Sequence, residues 1–195
     1  MAGMEKFRAI ELETERFRLI PIRPLSLALP TLHWTEDRDA LADVAWRPTG
    51  WTARRWWRHL RHITRGSRMS HGIWPKSGHP CIGLHMVNAS ALSRAAVIGV
   101  LIGEKDWWGK GVVTEVREAI VEDCFERLKL ERVWAQTNAR NLPSVYNHRK
   151  LGFVHEGTLR SAAIGSDGSR VDMLIFGMLR AEWSARRRGD GGHDG

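Results

Sequence analysis

The segment that most constrains the fold is the run VIGVLIGEKDWWGKGVVTE at residues 97–115. Its apolar start has the composition of a buried strand, and its end opens the i+3/i+4 apolar spacing of a helix. Gly109 and Gly111 stand between the two, where the backbone can adopt positive φ and approach a ligand closely. Because the first turn of a helix has unpaired N–H groups and partial positive charge, the segment predicts a phosphate site. The same glycines would also suit a tight turn that binds nothing.

Two common phosphate motifs are excluded in this segment. A Walker A loop needs GxxxxGK followed by Ser or Thr, whereas Gly103 and Gly109 have five residues between them and Gly111 follows Lys110. A Rossmann fingerprint needs a third glycine where this chain has Thr114. The turn therefore predicts phosphate binding by a different kind of strand-to-helix connection.

Composition adds broad limits. The 195 residues are 43% hydrophobic, which suits one globular domain. The formal charge of +8 favours nucleic acid, acidic protein or a phosphorylated cofactor, but a solvated basic surface would also account for it. Cys81 and Cys124 form no CxxC pair, and no metal site is expected. Residues 1–18 lack the apolar core of a signal peptide and no segment is long enough to span a membrane, so we expect a cytoplasmic protein without a membrane partner.

Apolar periodicity predicts an α/β (α+β) chain in which one sheet is covered by helices. The predicted strands are residues 17–22, 69–75, 81–88, 95–102, 132–136, 154–164 and 170–178. The predicted helices are one or two within 25–43, and single helices at 52–68, 112–128 and 142–151. We expect one domain over residues 1–184 and a disordered tail over 185–195, which is rich in Arg and Gly.

A second motif gives the first one a family context. WWGKGVVTE at 107–115 is followed about 30 residues later by NLPSVYNHRKLGF at 141–153, and this pair resembles the GNAT superfamily of N-acetyltransferases. The chain looks closest to the branch of ribosomal-protein N-terminal and polyamine acetyltransferases, and LETERFRLIPIRP at 12–24 and LRAEW at 179–183 agree. The resemblance implies a GNAT-like fold: a mixed, mostly antiparallel sheet of about seven strands with a splayed parallel pair, flanked by about four helices.

The resemblance also implies acetyl-CoA as co-substrate and places it. The two parallel strands, here 95–102 and 132–136, are expected to part, with the pantetheine arm in the gap. Asn141 matches a position that contacts the arm, although it also suits a helix N-cap. The implied binding residues are Val100, Leu101 and Ile102 for the arm, Trp108, Gly109, Lys110, Gly111, Val112 and Val113 for the diphosphate, and Asn141 and Ser144 on the following helix.

Two residues are candidates to protonate the departing thiolate. His148 lies four residues before Gly152, where many members of the family have a tyrosine donor, and histidine exchanges protons near neutral pH. Ser144 is the rival, because the ribosomal-protein branch often has serine there. The two share one helix face. A packing role for His148, and a contact of Ser144 with the cofactor, are the structural alternatives.

The general base is less clearly marked. Val97 stands where this branch often has a glutamate. Glu104 is the candidate we carry forward, with Asp106, His85 and a chain of waters as alternatives.

These features predict transfer of an acetyl group to a primary amine by direct attack in a ternary complex. The amine is a protein N-terminus or a small molecule, such as a polyamine or an antibiotic-like amine. Two other classes stay open: a nucleic-acid-binding module, suggested by the arginines between residues 54 and 65, and an inactive acetyl-CoA sensor, suggested by the missing glutamate. Nucleic acid is the less expected partner, since no helix-turn-helix or zinc motif is present. A monomer or a homodimer is expected.

Overall fold

A computed structural model describes residues 7–41, 50–165 and 167–189. Its strands form a single sheet in the order β1-β2-β3-β4-β5-β6-β8-β7, and all neighbours are antiparallel except β5 and β6. The strands are β1 (Leu12–Glu13), β2 (Phe17–Pro21), β3 (Arg68–Pro75), β4 (Gly83–Ser90), β5 (Ala95–Ile102), β6 (Arg132–Asn138), β7 (Val154–Ile164) and β8 (Arg170–Leu179).

Helices cover the two faces of this sheet. They are α1 (Pro24–Leu27), α2 (Arg38–Leu41), α3 (Ala53–His62), α4 (Val112–Glu126), α5 (Leu142–Lys150) and α6 (Arg180–Arg187), with 3-10 turns at Leu32–Thr35 and Lys105–Trp107. Of the described helices, four have eight residues or more. The predicted α/β class and GNAT-like architecture are confirmed, with an eighth strand because the two-residue β1 is too short to show a periodicity. None of the described helices has the length and apolar character needed to cross a membrane.

Each face of the sheet has its own core. On one face, the apolar stripe of α4, including Val116, Ile120 and Phe125, packs on alternate residues of the central strands. On the other face, Trp56 and Leu60 of α3 are fully buried. Full burial of such a side chain contributes about 1.5–3 kcal/mol, so the two cores hold the central strands from both sides.

The parallel pair separates soon after it forms. Only Ala95–Val97 of β5 pair with Arg132–Trp134 of β6. Beyond these three pairs, β5 continues beside β4 to Ile102, and β6 continues beside β8 to Asn138. The facing edges of β5 and β6 therefore have no strand partner there within the described chain, and a wedge opens in the middle of the sheet.

Two boundaries differ from the sequence prediction. Helix α3 ends at His62, not near residue 68, because Gly66 has a φ of +65° and turns the chain into β3. Helix α6 continues to Arg187, so residues 185–187 are helical where a disordered tail was expected. Arg186 donates to the Lys150 carbonyl at 3.3 Å and Arg187 pairs with Glu122 at 2.5 Å, which ties this turn to the domain. Residues 190–195 lie outside the described part of the chain.

Candidate active site

The wedge between β5 and β6 opens into a cleft of about 730 Å³, which we call the central cleft. The far ends of β5 and β6 form its walls, and the first turns of α4 and α5 lie at its rim. Nearly all the residues that the sequence predicted to bind a cofactor line it: Val100, Leu101, Ile102, Trp108, Gly109, Gly111, Val112, Val113, Asn141 and Ser144. His148 lines it as well.

The glycine turn at the rim has the conformation expected of an anion site. Gly109 and Gly111 have φ values of +70° and +74°, which side chains other than glycine rarely adopt. Gly111 is the N-cap residue of α4 and offers no side chain to the first-turn amides. The Trp108 indole donates to the Ile102 carbonyl at 3.0 Å and closes the loop back onto β5. The α4 amides therefore face the cleft and are available to an anion.

Lys110 differs from the prediction. It does not line the central cleft, since its ammonium lies 5.7 Å from the centre of the Trp107 ring, and its carbonyl accepts from the Arg16 guanidinium at 3.0 Å. Its neighbours in the turn contribute backbone to the cleft, whereas its own side chain contacts an aromatic ring. Lys110 contributes to the turn through this packing.

A brace that the sequence reasoning missed holds the turn. Glu115, in the first turn of α4, accepts from the Arg16 backbone N–H at 2.8 Å, the Arg16 guanidinium at 2.7 Å and the Thr14 hydroxyl at 2.5 Å. Partial burial alone would raise the pKa of Glu115, but these hydrogen bonds and the Arg16 charge lower it overall. We call this set the Arg16–Glu115 brace, and it fixes the glycine turn to the β1–β2 hairpin.

Helix α5 presents its first turn to the cleft. The Asn141 side chain accepts from the Ser144 N–H at 2.9 Å, which confirms that Asn141 is an N-cap. The Ser144 hydroxyl lies 3.1 Å from the Thr137 hydroxyl of β6. Ser144 is thus held at the wall of the cleft. Tyr146 also lines the cleft, but it is 64% exposed.

His148 lies deeper than Ser144. It is only 1% exposed, stacks on Phe176 with ring centres 4.9 Å apart, and its Nδ1 lies 3.1 Å from the Ser144 carbonyl and 3.3 Å from the Arg117 guanidinium. Burial, followed by the charge of Arg117, lowers the pKa of His148 to about 3. The imidazole is therefore neutral at physiological pH, so it can donate a hydrogen bond but does not carry the extra proton of an imidazolium.

The three candidate bases do not line the cleft. Glu104 accepts from the Trp34 indole at 2.8 Å and lies 3.0 Å from the His33 ring, so its carboxylate holds the loop before the turn. Asp106 is on the exposed side of that loop. His85 is fully buried, and burial, followed by Arg117 and His71, lowers its pKa well below the ordinary value. The geometry therefore gives none of them access to an amine in the cleft.

Arg117 is the cleft residue that sequence reasoning missed most clearly. It lines the central cleft and is only 2% exposed. The sequence does indicate that Arg117 is buried. Position 117 precedes the buried Ile120, Val121 and Cys124 by three, four and seven residues, so it lies on the face of α4 that packs on the core. Arg140 and Lys150 add two further cationic residues to the lining.

Comparisons with known proteins agree with this geometry. A model of the acetyltransferase (GNAT) domain matches residues 16–154. The chain is 28% identical over 110 residues to "Putative ribosomal N-acetyltransferase YdaF" of Bacillus subtilis (strain 168), covering 56% of this chain and 59% of that protein. It is 32% identical over 102 residues to the uncharacterized N-acetyltransferase p20 of Bacillus licheniformis, covering 52% and 55%. The match spans little more than half the length of these curated relatives.

Solved structures share the fold at low sequence identity. RimL, a ribosomal alpha-N-protein acetyltransferase in complex with coenzyme A, superposes with a TM-score of 0.77 at 16% identity, covering 87% of this chain and 98% of that one. Spermidine N-acetyltransferase from Vibrio cholerae, in complex with CoA and spermine, gives 0.77 at 17% identity, covering 86% and 98%. Since the domain model matches well over half of the sequence and the wedge, turn and helix form one cleft, this chain belongs to the GNAT acetyltransferase family.

Proposed function

We propose that this protein transfers an acetyl group from acetyl-CoA to a primary amine, by direct attack of the amine in a ternary complex. One observation carries the proposal: a wedge in the sheet, a glycine turn and two helix N-termini line the same cleft. A protein that only needed a stable sheet would pair β5 with β6 along their length.

The residues present fit the cofactor. An added Cβ at Gly109 would meet nothing within 4 Å, so the backbone on that side is open to a diphosphate. The α4 amides supply donors for it. Arg140 and Lys150 supply positive charge along the same cleft. The unpaired edge of β5 beyond Val97 offers backbone groups to the amide-bearing pantetheine arm.

The chain's own groups then meet three requirements of acyl transfer. Acetyl-CoA supplies the acyl group as a thioester. Backbone N–H groups on the free edge of β5 stabilise the developing oxyanion. Ser144 and His148, which both line the cleft on α5, are the candidate hydrogen-bond donors for the departing sulfur. The amine proton leaves through water, because Glu104, Asp106 and His85 lie outside the cleft lining.

We favour a protein N-terminus as the acceptor, with a polyamine or antibiotic-like amine as the alternative. The formal charge is +8, and Arg54, Arg58 and Arg61 are exposed along α3. This surface repels a polycation and attracts an acidic chain, whereas a neutral chain is not repelled. Among the structural neighbours, one acts on a ribosomal protein and one is bound to spermine, so both acceptor classes occur on this fold.

The test combines binding and turnover. Calorimetry with acetyl-CoA comes first, followed by thiol release with peptides whose free N-termini are acidic, neutral or basic, and with spermidine and aminoglycosides. The same peptides with blocked N-termini are the matched controls. We expect release only with free N-termini, and most with acidic sequences.

Other outcomes point to other functions. Thiol release with spermidine and with no peptide would show that the acceptor is a small amine and not a protein N-terminus. Acetyl-CoA binding without release from any acceptor would favour a sensor. Steeply salt-dependent DNA binding without acetyl-CoA affinity would favour the nucleic-acid module and contradict the proposal.

A further inference from the structure

Arg117 is a buried cation with little compensation from the protein. Within the described ranges, its guanidinium has one side-chain partner, the His148 Nδ1 at 3.3 Å, and its Nε has no hydrogen-bond partner. No carboxylate of the described residues lies within 4.0 Å of it. Burial lowers the pKa of Arg117 to about 10, so the group stays charged at neutral pH.

The groups that face Arg117 do not neutralise it. His148 approaches from α5 and His85 from β4, and burial, followed by the charge of Arg117, lowers the pKa of both. Asp123, farther along α4, pairs with Arg127 at 2.6 Å. Arg117 is thus surrounded by neutral imidazoles, and a buried charge in such surroundings is costly unless an anion approaches it.

The central cleft is the route by which an anion can approach. Arg117 and His148 both line it. Arg117 is five residues beyond Val112, which places it about 7.5 Å along the α4 axis from the glycine turn. The guanidinium itself lies 3.3 Å from His148 Nδ1, so it faces α5 and not the amides of the glycine turn. Under the proposed function, a diphosphate at the turn would leave Arg117 to the reacting end of the ligand.

We propose that Arg117 is a positioning residue for acyl transfer: it fixes His148 so that Nε2–H donates to the coenzyme A sulfur, and its charge stabilises the sulfur anion. This inference rests on the proposed function. The two contacts of His148 Nδ1 call for opposite tautomers, since the Ser144 carbonyl at 3.1 Å only accepts and the Arg117 guanidinium at 3.3 Å only donates. We assign the Nδ1 lone pair to the charged donor, which places the ring proton on Nε2. Nε2 is buried and has no partner among the described residues, so it is the donor left for a ligand that enters the cleft. As the amine nitrogen forms its bond to the carbonyl carbon, the C–S electron pair goes to sulfur and the amine proton goes to water.

The direct test is the acidity of bound coenzyme A. Thiolate absorbance is titrated for coenzyme A free and bound to the wild-type protein, Arg117→Met and Arg117→Lys. A nearby cation lowers a thiol pKa, so we expect the wild-type complex at least about one unit below free coenzyme A. We expect Arg117→Met within about half a unit of free coenzyme A and Arg117→Lys between the two. Arg127→Met, which removes a paired arginine of the same helix, should match the wild type.

Kinetics and stability separate this role from packing. Arg117→Met should lower kcat about 10–100-fold while the KM for acetyl-CoA changes less than about threefold, because the interaction forms as charge develops. Its stability should be equal or higher, since replacing a buried charge with an apolar side chain of similar size is often neutral or stabilising. A purely structural arginine would give the opposite pair of results.

The outcomes are distinct. If coenzyme A bound to the wild type has the thiol pKa of free coenzyme A, the inference is wrong, and this result needs no variant to fold. If Arg117→Met keeps the wild-type value, it is also wrong. If calorimetry detects no coenzyme A binding to the wild type, the proposed function has failed and the inference fails with it. Should Arg117→Met not fold, the wild-type and Arg117→Lys titrations decide.

Discussion

Gly109 shows how one residue can be required for binding more than for folding. Its φ of +70° strains any residue with a side chain, but a Cβ there would meet no atom within 4 Å. The missing side chain therefore leaves room for something outside the chain. Gly66 has a φ of +65° and equally open surroundings, but it does not line the central cleft. Only Gly109 therefore lies where a ligand in the central cleft would approach the backbone.

This pair gives the first prediction. Gly109→Ala and Gly66→Ala should each lose about 1–2 kcal/mol of stability, from the cost of left-handed backbone. Only Gly109→Ala should weaken coenzyme A binding, by at least about tenfold, because its methyl group stands where the diphosphate approaches the amides. Calorimetry measures the affinity and thermal melts measure the stability. Equal affinities in the two variants would contradict the anion site at this turn.

His148 gives the second prediction. His148→Leu should lower kcat about 100-fold, at the low end of what a proton-donating side chain contributes, with a smaller change in acetyl-CoA affinity. Stopped-flow thiol release and calorimetry separate the two quantities. His155→Leu, which removes an exposed histidine of β7, is the control. Full turnover of His148→Leu would exclude His148 as the donor and leave Ser144, the other candidate, to be tested.

Residue-level prediction succeeded where a local rule decides. Asn141 begins a helix with Ser144 three residues on, and capping follows from that spacing alone. Glu104, the candidate base, lies outside the cleft lining, because its direction depends on Trp34 and His33, which are about 70 residues away in sequence. Arg117 was overlooked because a charged residue is usually taken to face solvent, even where the apolar spacing places it on the buried face of a helix.

At the scale of elements, the Arg16–Glu115 brace connects the start of the chain to the glycine turn. It contains two acceptor oxygens and three donors, one of them a guanidinium. Charge-assisted hydrogen bonds of this kind are stronger than neutral ones. The brace therefore sets where α4 begins relative to the β1–β2 hairpin.

The third prediction concerns this brace. Glu115→Gln should lower the free energy of unfolding by about 1–2 kcal/mol and weaken coenzyme A binding severalfold, because the turn loses its support. Urea unfolding and calorimetry measure the two effects. Glu122→Gln alters an exposed carboxylate of the same helix that pairs with Arg187, and should change neither by much. A Glu115→Gln protein with unchanged affinity would show that the turn is rigid without the brace.

Two strands were predicted to the residue. The apolar run 95–102 and the hairpin strand 154–164 coincide with β5 and β7. Helix α3 was predicted too long because its end depends on a glycine, and β1 was missed because two residues carry no pattern. The separation of β5 from β6 cannot be read from either strand, since it is a property of their register. It was expected only through the family resemblance.

At the scale of the whole molecule, buried histidines make stability depend on pH. His71, His85 and His148 are each at most 1% exposed, and burial lowers their pKa. The folded chain keeps them neutral while the unfolded chain takes up protons below about pH 6.5. For His148, stability is therefore complete above 6.5 and is lost as pH falls toward its folded pKa of about 3.

The fourth prediction follows from this sign. Between pH 6 and pH 5, the free energy of unfolding should fall by up to about 1.4 kcal/mol per pH unit for each such histidine. His85→Leu should reduce that slope by one histidine's share, as measured by urea unfolding at a series of pH values. His79→Leu, at an exposed position, should keep the wild-type slope. An identical slope in His85→Leu would mean that His85 titrates alike in both states.

The family could be predicted from the sequence because two motifs at a fixed spacing belong to one cleft. The acceptor amine could not be predicted from the sequence, because the two motifs do not identify which amine is bound. The cationic surface of α3 narrows the choice by charge alone.

The short seam between β5 and β6 has one more consequence. Within the described residues, three strand pairs and one adjoining backbone hydrogen bond, from the Glu131 N–H to the Arg94 carbonyl, join the five strands β1 to β5 to the three strands β6 to β8. Beyond that seam, a bound molecule can bridge the free edges of β5 and β6. If coenzyme A fills this gap, as the proposed function requires, amide hydrogen exchange along residues 98–102 should slow when it is bound.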